Sequence, residues 1–307
     1  LTSGEEALDD FILIKSDGYP TYNFAHIIDD LEMGVTHIMR ADEFIASTPK
    51  FLSLYEALEI TPPILVTLPP ILGKDGNKKL GKRDGAKDIL EYRNEGYLPE
   101  AMVNFLALMG WNPGTEQEIF TKEQLIESFD IARIHKSGAM FNDEKLLWMN
   151  KEHLRLQSPD EQFEYVKAYM VDYPQELLRR LLPTIIDRIS NYGELTLVEM
   201  DEFRFFIIYP ELHAEKIVWK DAPKTEALQH LTFIKNSISD IDFSSPDSIK
   251  KSIMPYAEEH GKGNVLWPLR MTLSGQEKSV DPFTICYVLG KDEVVIRIEK
   301  ACQLLSI

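Results

Sequence analysis

Cysteine is nearly missing from these 307 residues: there are two, Cys286 and Cys302, with no companion cluster of Cys and His. That excludes a disulfide scaffold and a Cys-rich zinc site, and it fits a reducing, cytoplasmic setting. Long apolar runs are missing too. No window reaches the ~18 uninterrupted apolar residues of a membrane span, so no membrane partner is expected. The opening Leu1-Thr2-Ser3-Gly4-Glu5-Glu6 has no basic n-region and no apolar h-region, so no secretory signal is expected there. The first residue is Leu rather than Met, as in a fragment or a processed product. None of the seven histidines sits four residues from another, which removes zinc-protease geometry. No Gly-x-Ser-x-Gly elbow, Walker A loop or Cys/His catalytic set occurs. Positive charge is in deficit: 33 Lys+Arg stand against 50 Asp+Glu, a formal net charge of −17. This argues against non-specific nucleic-acid binding. It leaves room for a nucleic-acid enzyme whose basic groups share one face.

What is present falls into two regimes. The length suits two or three domains, and an apolar fraction of 44% supplies their cores. Over the first 85 residues, β-branched runs alternate with helical patterns. Strands are expected at 11–16, 35–40 and 64–68, and helices at about 22–33 and 48–58, the second opened by Thr48 as N-cap with Pro49 at N1. Such alternation suggests a parallel sheet, whose ligands lie at the carboxyl ends of strands. Arg40 and a basic loop after Leu68 both fall there. From residue 86 onward the patterns are helical. Pro99 opens a helix that Gly110 closes, and Thr121-Lys122-Glu123-Gln124 is a capping box. A further helix spans 142–153, and Ser158-Pro159-Asp160-Glu161 is a second capping box. Helices are then expected at about 158–172, 174–190, 194–208, 223–239, 246–260, 263–273, 281–289 and 291–305. The resulting division is 1–85, 86–157 and 158–307.

The basic loop reverses the sign of the chain. Residues 71–87 hold Lys74, Lys78, Lys79, Lys82, Arg83 and Lys87 against Asp75 and Asp84. Glycines let the backbone approach an anion and the lysines bring point charges, so the loop is a candidate phosphate site; the alternative is a solvated surface loop. Arg40, beside a helix-borne Tyr22, can clamp a carboxylate bidentately or form an ion pair with Asp29, Asp30 or Glu43. Asp42-Glu43 can serve as acid/base groups, bind a metal or accept from ribose, or simply start a helix. His26 is the one histidine near these groups. Arg188 and Arg270 can read base edges or be solvated helix charges. Trp148, Trp219 and Trp267 suit either a core or base stacking.

Taken in order, several segments resemble the bacterial glutamyl-tRNA synthetases, class I aminoacyl-tRNA synthetases. They are Asp17-Gly18-Tyr19-Pro20-Thr21-Tyr22-Asn23-Phe24-Ala25, then Asp29-Asp30, Met33-Gly34-Val35-Thr36-His37-Ile38-Met39-Arg40, and Ser47-Thr48-Pro49. Lys79-Leu80-Gly81-Lys82-Arg83 follows, then Gly96-Tyr97-Leu98-Pro99-Glu100-Ala101 and Leu106-Ala107-Leu108-Met109-Gly110-Trp111. Trp267-Pro268-Leu269-Arg270 and Leu289-Gly290-Lys291 complete the series. The resemblance covers essentially the whole chain. It implies a mixed α/β then all-α fold: the second half of a class I nucleotide-binding fold, a helical connecting domain and a helical anticodon-binding domain. It implies ATP-dependent activation of L-glutamate and transfer to the 3′ end of tRNA-Glu, by a cytoplasmic monomer. Lys82 would stabilise charge on the ATP triphosphate and Lys79 would fix the loop. Tyr22, His26 and Arg40 would bind glutamate, Glu43 and Leu72 would line the ATP site, and Arg188 and Arg270 would contact the anticodon. Magnesium is expected with ATP; no zinc site is expected.

Departures accompany the likeness. Gly81 stands where the signature loop carries Ser, Phe44 where Trp or His is common, and His26 where Asn or a small apolar residue is expected. The family's His-x-Gly-His tetrapeptide does not occur. The expectation is therefore that this polypeptide alone does not activate glutamate. The alternative reading is a non-catalytic tRNA-binding module derived from the synthetase. A glutaminyl enzyme is disfavoured because its anticodon domains are β-barrels, and a shortened glutamyl-queuosine paralogue because it has no anticodon region.

Overall fold

A computed structural model describes residues 9–73, 76, 78–81, 86–196 and 201–307. The chain forms two compact units. One joins the residues up to Ile89 with Pro99–Met149; the other joins Leu90–Leu98 with Asn150–Ile307.

The first unit opens with a single antiparallel bridge, Ile14 to Pro20, where a strand over 11–16 is expected. The turn pair Asp17-Gly18 folds the segment back before a ladder can form: Asp17 accepts from the Tyr19 amide, and the Gly18 amide donates to the Lys15 carbonyl. Helix α1 (Tyr22–Glu32) and strand β1 (His37–Ala41) follow. A 3-10 turn over Asp42–Ser47 then runs directly into α2 (Thr48–Ala57). Ser47, not Thr48, is therefore the N-cap residue. Thr48 is already helical, and its hydroxyl donates to the Phe44 carbonyl. Strand β2 (Ile64–Leu68) pairs parallel with β1, setting Arg40 opposite Thr67. Ile27, Phe51 and Tyr55 form the buried core between α1 and α2, with Phe44, Leu54 and Ile60 packed on it.

Strand β3 (Ile71–Leu72) comes next, then α3 (Ile89–Asn94), most of which belongs to the second unit. The chain returns with α4 (Pro99–Gly110). Gly110 lies inside this helix rather than beyond it. Next is α5 (Lys122–Ser128), opened by the expected capping box in which Thr121 and Gln124 satisfy each other's amides. Strand β4 (Ala139–Met140) pairs parallel with β3. Trp111, Phe120 and Leu125 are buried together beneath α4 and α5.

The second unit is helical throughout its described residues. Helix α6 (Asp143–Leu156) runs into it, and α7 (Pro159–Tyr169) carries the Ser158/Glu161 capping box with Pro159 in its first turn. Helix α8 (Gln175–Arg188) buries Leu178, Leu181, Leu182, Ile185 and Ile186, the spacing of one helical face. The single helix expected over 194–208 is not formed as such. A 3-10 turn occupies Tyr192–Thr196 and a short α9 spans Asp201–Arg204, while 197–200 lie outside the described residues. A short α10 (Ala214–Ile217) was unforeseen; four residues are too few to show periodicity. Helices α11 (Lys224–Ser237), α12 (Pro246–His260), α13 (Lys262–Ser274), α14 (Pro282–Leu289) and α15 (Lys291–Leu305) complete the unit. Fully buried Leu231, Ile249, Val265, Leu269, Ile285, Val294 and Ile298 form their common interior.

Candidate functional sites

Arg40 is the penultimate residue of β1 in the parallel pair, near the carboxyl end where crevices form. Its guanidinium is surrounded by aromatic faces: Phe44 at 5.2 Å, Phe51 at 5.6 Å and Tyr22 at 5.8 Å from the ring centroids. These rings hold the cation without consuming its hydrogen-bond donors, and its side chain stays 21% exposed. Of the three carboxylates weighed as ion-pair partners, Asp30 is the one that approaches. Its Oδ2 lies 4.0 Å from the guanidinium, attractive but beyond hydrogen-bond reach. The Tyr55 hydroxyl joins this neighbourhood. It is buried without a hydrogen-bond partner. Burial pushes its pKa up, the Asp30 charge adds to that, and Arg40 opposes it. No signal in the sequence singled out Tyr55 or Phe51; both read as ordinary core positions of an amphipathic helix.

His26 and Tyr22 complete the cluster. His26 lies one turn after Tyr22, and its Nδ1 donates to the Tyr22 carbonyl at 2.8 Å, which leaves Nε2 free to face the site. The imidazole stacks on Tyr22 with centroids 5.0 Å apart and meets Phe51 edge-on at 4.5 Å. The phenol of Tyr22 is more than half exposed and rims the site. A void of about 30 Å³, water-sized, lies against Arg40, Phe44, Phe51 and Thr67.

The basic segment is anchored as a hairpin on β3. The Gly73 amide donates to the Lys78 carbonyl and the Leu80 amide to the Ile71 carbonyl, so Lys79 lies antiparallel to Leu72. This alignment delivers the Lys79 ammonium to Glu43 at 2.5 Å, in the turn that follows Arg40. The hydrogen bond to Glu43 raises the Lys79 pKa, so the lysine stays cationic. Thus Lys79, Glu43 and Leu72, named separately from the sequence, come together. Lys82, with Lys74 and Arg83, lies outside the described residues.

In the helical unit, Arg188 ends α8 and pairs with Glu202. Arg270 is turned inward. Its Nη1 donates to the Ser279 carbonyl and hydroxyl and to the Val280 carbonyl at 2.8–3.0 Å, fixing the loop before α14. Burial lowers its pKa. Trp219 and Trp267 pack together at 5.0 Å, with the Trp267 indole donating to the Lys216 carbonyl, whereas Trp148 is 42% exposed. Among the described residues, no group of three or more His, Cys, Asp or Glu is placed to hold a metal ion. No helix among them is long and apolar enough to cross a membrane.

Residues 2–148 match the model of the class I tRNA synthetase (E and Q) catalytic domain, and residues 161–302 match an anticodon-binding domain. These two matches give the chain class I tRNA synthetase catalytic sequence followed by an anticodon-binding domain. It is 39% identical over its whole length to a glutamate–tRNA ligase of Clostridium botulinum (strain Eklund 17B / Type B), covering 64% of that protein. It is 40% identical to the glutamate–tRNA ligase of Clostridium acetobutylicum, covering 95% of this chain and 61% of the relative. A solved glutamate tRNA ligase of Elizabethkingia meningosepticum, in complex with its amino acid, superposes with a TM-score of 0.79 at 34% identity. That match covers 98% of this chain and 63% of the solved one. The chain thus spans less than two thirds of these relatives. The family's catalytic and anticodon models meet in the stretch between 148 and 161. This brackets the Ser158 capping box, and the two compact units part nearby, at Met149 and Asn150.

Proposed function

We propose that the chain is the glutamate-, ATP- and anticodon-contacting part of a glutamate–tRNA ligase. Glutamate plus ATP gives glutamyl-adenylate and pyrophosphate, and a terminal ribose hydroxyl at the 3′ end of tRNA-Glu then takes the glutamyl group, releasing AMP. The observation that carries this reading is the Arg40 cluster: a cation near a strand end, flanked by Tyr22, Phe44 and Phe51, with His26 stacked on Tyr22 and the Lys79–Glu43 pair in the turn beside it.

In this reading Arg40 receives the side-chain carboxylate of glutamate, for which its planar fork is suited. Tyr22 and His26 shape the rim. In its neutral form, with Nδ1 on the Tyr22 carbonyl, His26 accepts at Nε2 from a donor of the substrate. The α-carboxylate of glutamate attacks the α-phosphate of ATP, and pyrophosphate leaves. Lys82 counters the growing charge on the leaving phosphates. Lys79 holds the hairpin through Glu43, while Glu43 and Leu72 border the nucleotide. Magnesium arrives with the ATP phosphates as part of the substrate. Residues 1–85, 86–157 and 158–307 act as half of the nucleotide-binding fold, a connecting domain and the anticodon-binding domain. Arg188 reads the anticodon. Arg270 supports the same surface through the Ser279 loop and has less freedom to reach a base. The protein works as a cytoplasmic monomer.

These 307 residues hold no His-x-Gly-His segment, so we expect no ATP–pyrophosphate exchange from this polypeptide alone. Exchange at the rate of a complete ligase would overturn that assignment of roles. The second reading, a tRNA-binding module without catalysis, predicts tRNA binding together with no interaction of ATP with Lys79. Protection of Lys79 from amine modification by ATP separates the two.

A further inference from the structure

The nine residues Leu90–Leu98 belong to the helical unit, although the chain on both sides of them belongs to the first unit. They follow the basic segment closely in sequence. Three contacts lock their end into place. The Tyr192 amide donates to the Gly96 carbonyl at 3.1 Å. The Leu98 amide donates to Asn150 Oδ1 at 2.8 Å, and Asn150 Nδ2 donates to the Ser190 carbonyl at 2.6 Å. Asn150 is fully buried, so its two hydrogen bonds have no water to replace them. Between these bonds the two backbones touch. A Cβ on Gly96, whose φ is +81°, would lie 2.1 Å from the Gly193 nitrogen, and a Cβ on Gly193 would lie 2.3 Å from the Glu95 carbonyl oxygen. Neither position can carry a side chain without parting the strands of the lock.

The opposing segment of the lock, residues 190–193, leaves α8 directly after Arg188 and leads into the 3-10 turn Tyr192–Thr196. It is itself stiffened: the Ser190 amide donates to Glu194, Asn191 accepts from the Glu194 amide, and Tyr192 is stacked on Tyr165 at 4.6 Å.

We propose that Gly96, Gly193 and Asn150 are positioning residues that tie the loop after Arg188 to the backbone following the basic segment, so that tRNA bound at Arg188 restrains residues 86–98. This rests on the reading of Arg188 as a tRNA contact. The lock has no hinge: a displacement at Ser190 or Gly193 is passed on through backbone contact and through a buried amide side chain. It couples the end of α8 to residues 90–98 of the same unit, which follow the basic segment in sequence.

Hydrogen exchange measured by mass spectrometry on the full 307-residue chain tests this, with and without a tRNA-Glu transcript. In the free chain, Asn150→Ala is expected to speed exchange over 90–98 and 190–196 together, by about tenfold or more. With tRNA, the wild-type chain is expected to gain protection over both 188–196 and 86–98. Gly193→Ala is expected to bind tRNA within about threefold of wild type and to keep the first protection while losing the second. If Gly193→Ala does not fold, Asn150→Ala takes its place in the tRNA arm. Bound tRNA with no change over 86–98, or a change that survives the substitution, overturns the coupling. Absence of tRNA binding overturns the anticodon reading and the coupling with it. Unlinked exchange of the two segments in the free Asn150→Ala chain overturns the lock independently of tRNA.

Discussion

Replacing Tyr55 by Phe removes one oxygen from the back of the Arg40 cluster and nothing else. The ring stays packed on Ile27 and Phe51. A tyrosine that donates a hydrogen bond usually loses about 1 kcal/mol on this change. Here the hydroxyl is buried, lacks a partner, and lies in the field of Asp30. Such a group costs roughly 1–3 kcal/mol in mutational series. Tyr55→Phe should therefore leave the first unit unchanged or more stable by about 1 kcal/mol, a rise in melting temperature of roughly 2–4 °C for a unit of this size. Urea denaturation, followed through a probe in the first unit, measures it. A loss of about 1 kcal/mol or more would refute the reasoning. It would mean that the hydroxyl is bonded and that Arg40 and Asp30 are not disposed as described. Thr272→Val is the matching change in the helical unit, since Thr272 is fully buried with an unpartnered hydroxyl.

Arg270→Ala should destabilise the helical unit by about 2–3 kcal/mol, because a charged donor serving three acceptors is lost; a stability within error of wild type would show that the Ser279 loop does not need it. Ser158→Ala and Thr121→Ala should each cost about 1 kcal/mol through loss of a capping box, read as a shift in denaturation midpoint. Acidification should weaken the helical unit through His230. Its imidazole is buried, with Nδ1 on the Tyr256 hydroxyl and Nε2 unpartnered, 3.6 Å from Glu226. Burial lowers its pKa in the fold; Glu226 acts the other way and His260 adds to the lowering. The unfolded chain then binds the proton more readily, so this contribution is present above the ordinary histidine pKa of about 6.5 and is lost as pH falls through it. Between about pH 7.5 and 5.5 the wild-type midpoint should fall more than that of His230→Gln, and equal slopes would remove His230 from the account.

The helical half was largely legible because each helix announces its own ends. Ser158 with Glu161 and Thr121 with Gln124 are local signals, and the structure uses both of them. The pairing of β1 with β2 was legible from β-branched runs separated by a helix. The failures came where a tertiary or turn geometry overrode a local pattern. The 11–16 run folds back on its own turn, and the 3-10 turn after β1 moves the cap of α2 by one residue. In the site, Arg40 was legible near a strand end and Tyr22 and His26 one turn apart on helix α1, where Tyr22 meets both Arg40 and His26. Glu43 and Lys79 meet across 36 residues, which no sequence spacing reveals. Tyr55 and Asn150 were invisible for a different reason: a buried polar group is recognised by its surroundings, and a sequence does not print them. Nor could the exchange of Leu90–Leu98 between units be read from helical periodicity.

The central claim is that this chain carries the tRNA-reading part of a glutamate–tRNA ligase, with Arg188 at the reading surface. The direct measurement is equilibrium binding of the 307-residue chain to tRNA-Glu and to the same transcript with an altered anticodon, at fixed salt, for wild type and Arg188→Gln. The account predicts that wild type prefers the glutamate anticodon by about tenfold, one mismatched base contact, and that Arg188→Gln loses the preference while its fold is intact. Equal binding of both transcripts by the wild-type chain, or a preference untouched by Arg188→Gln, would contradict it.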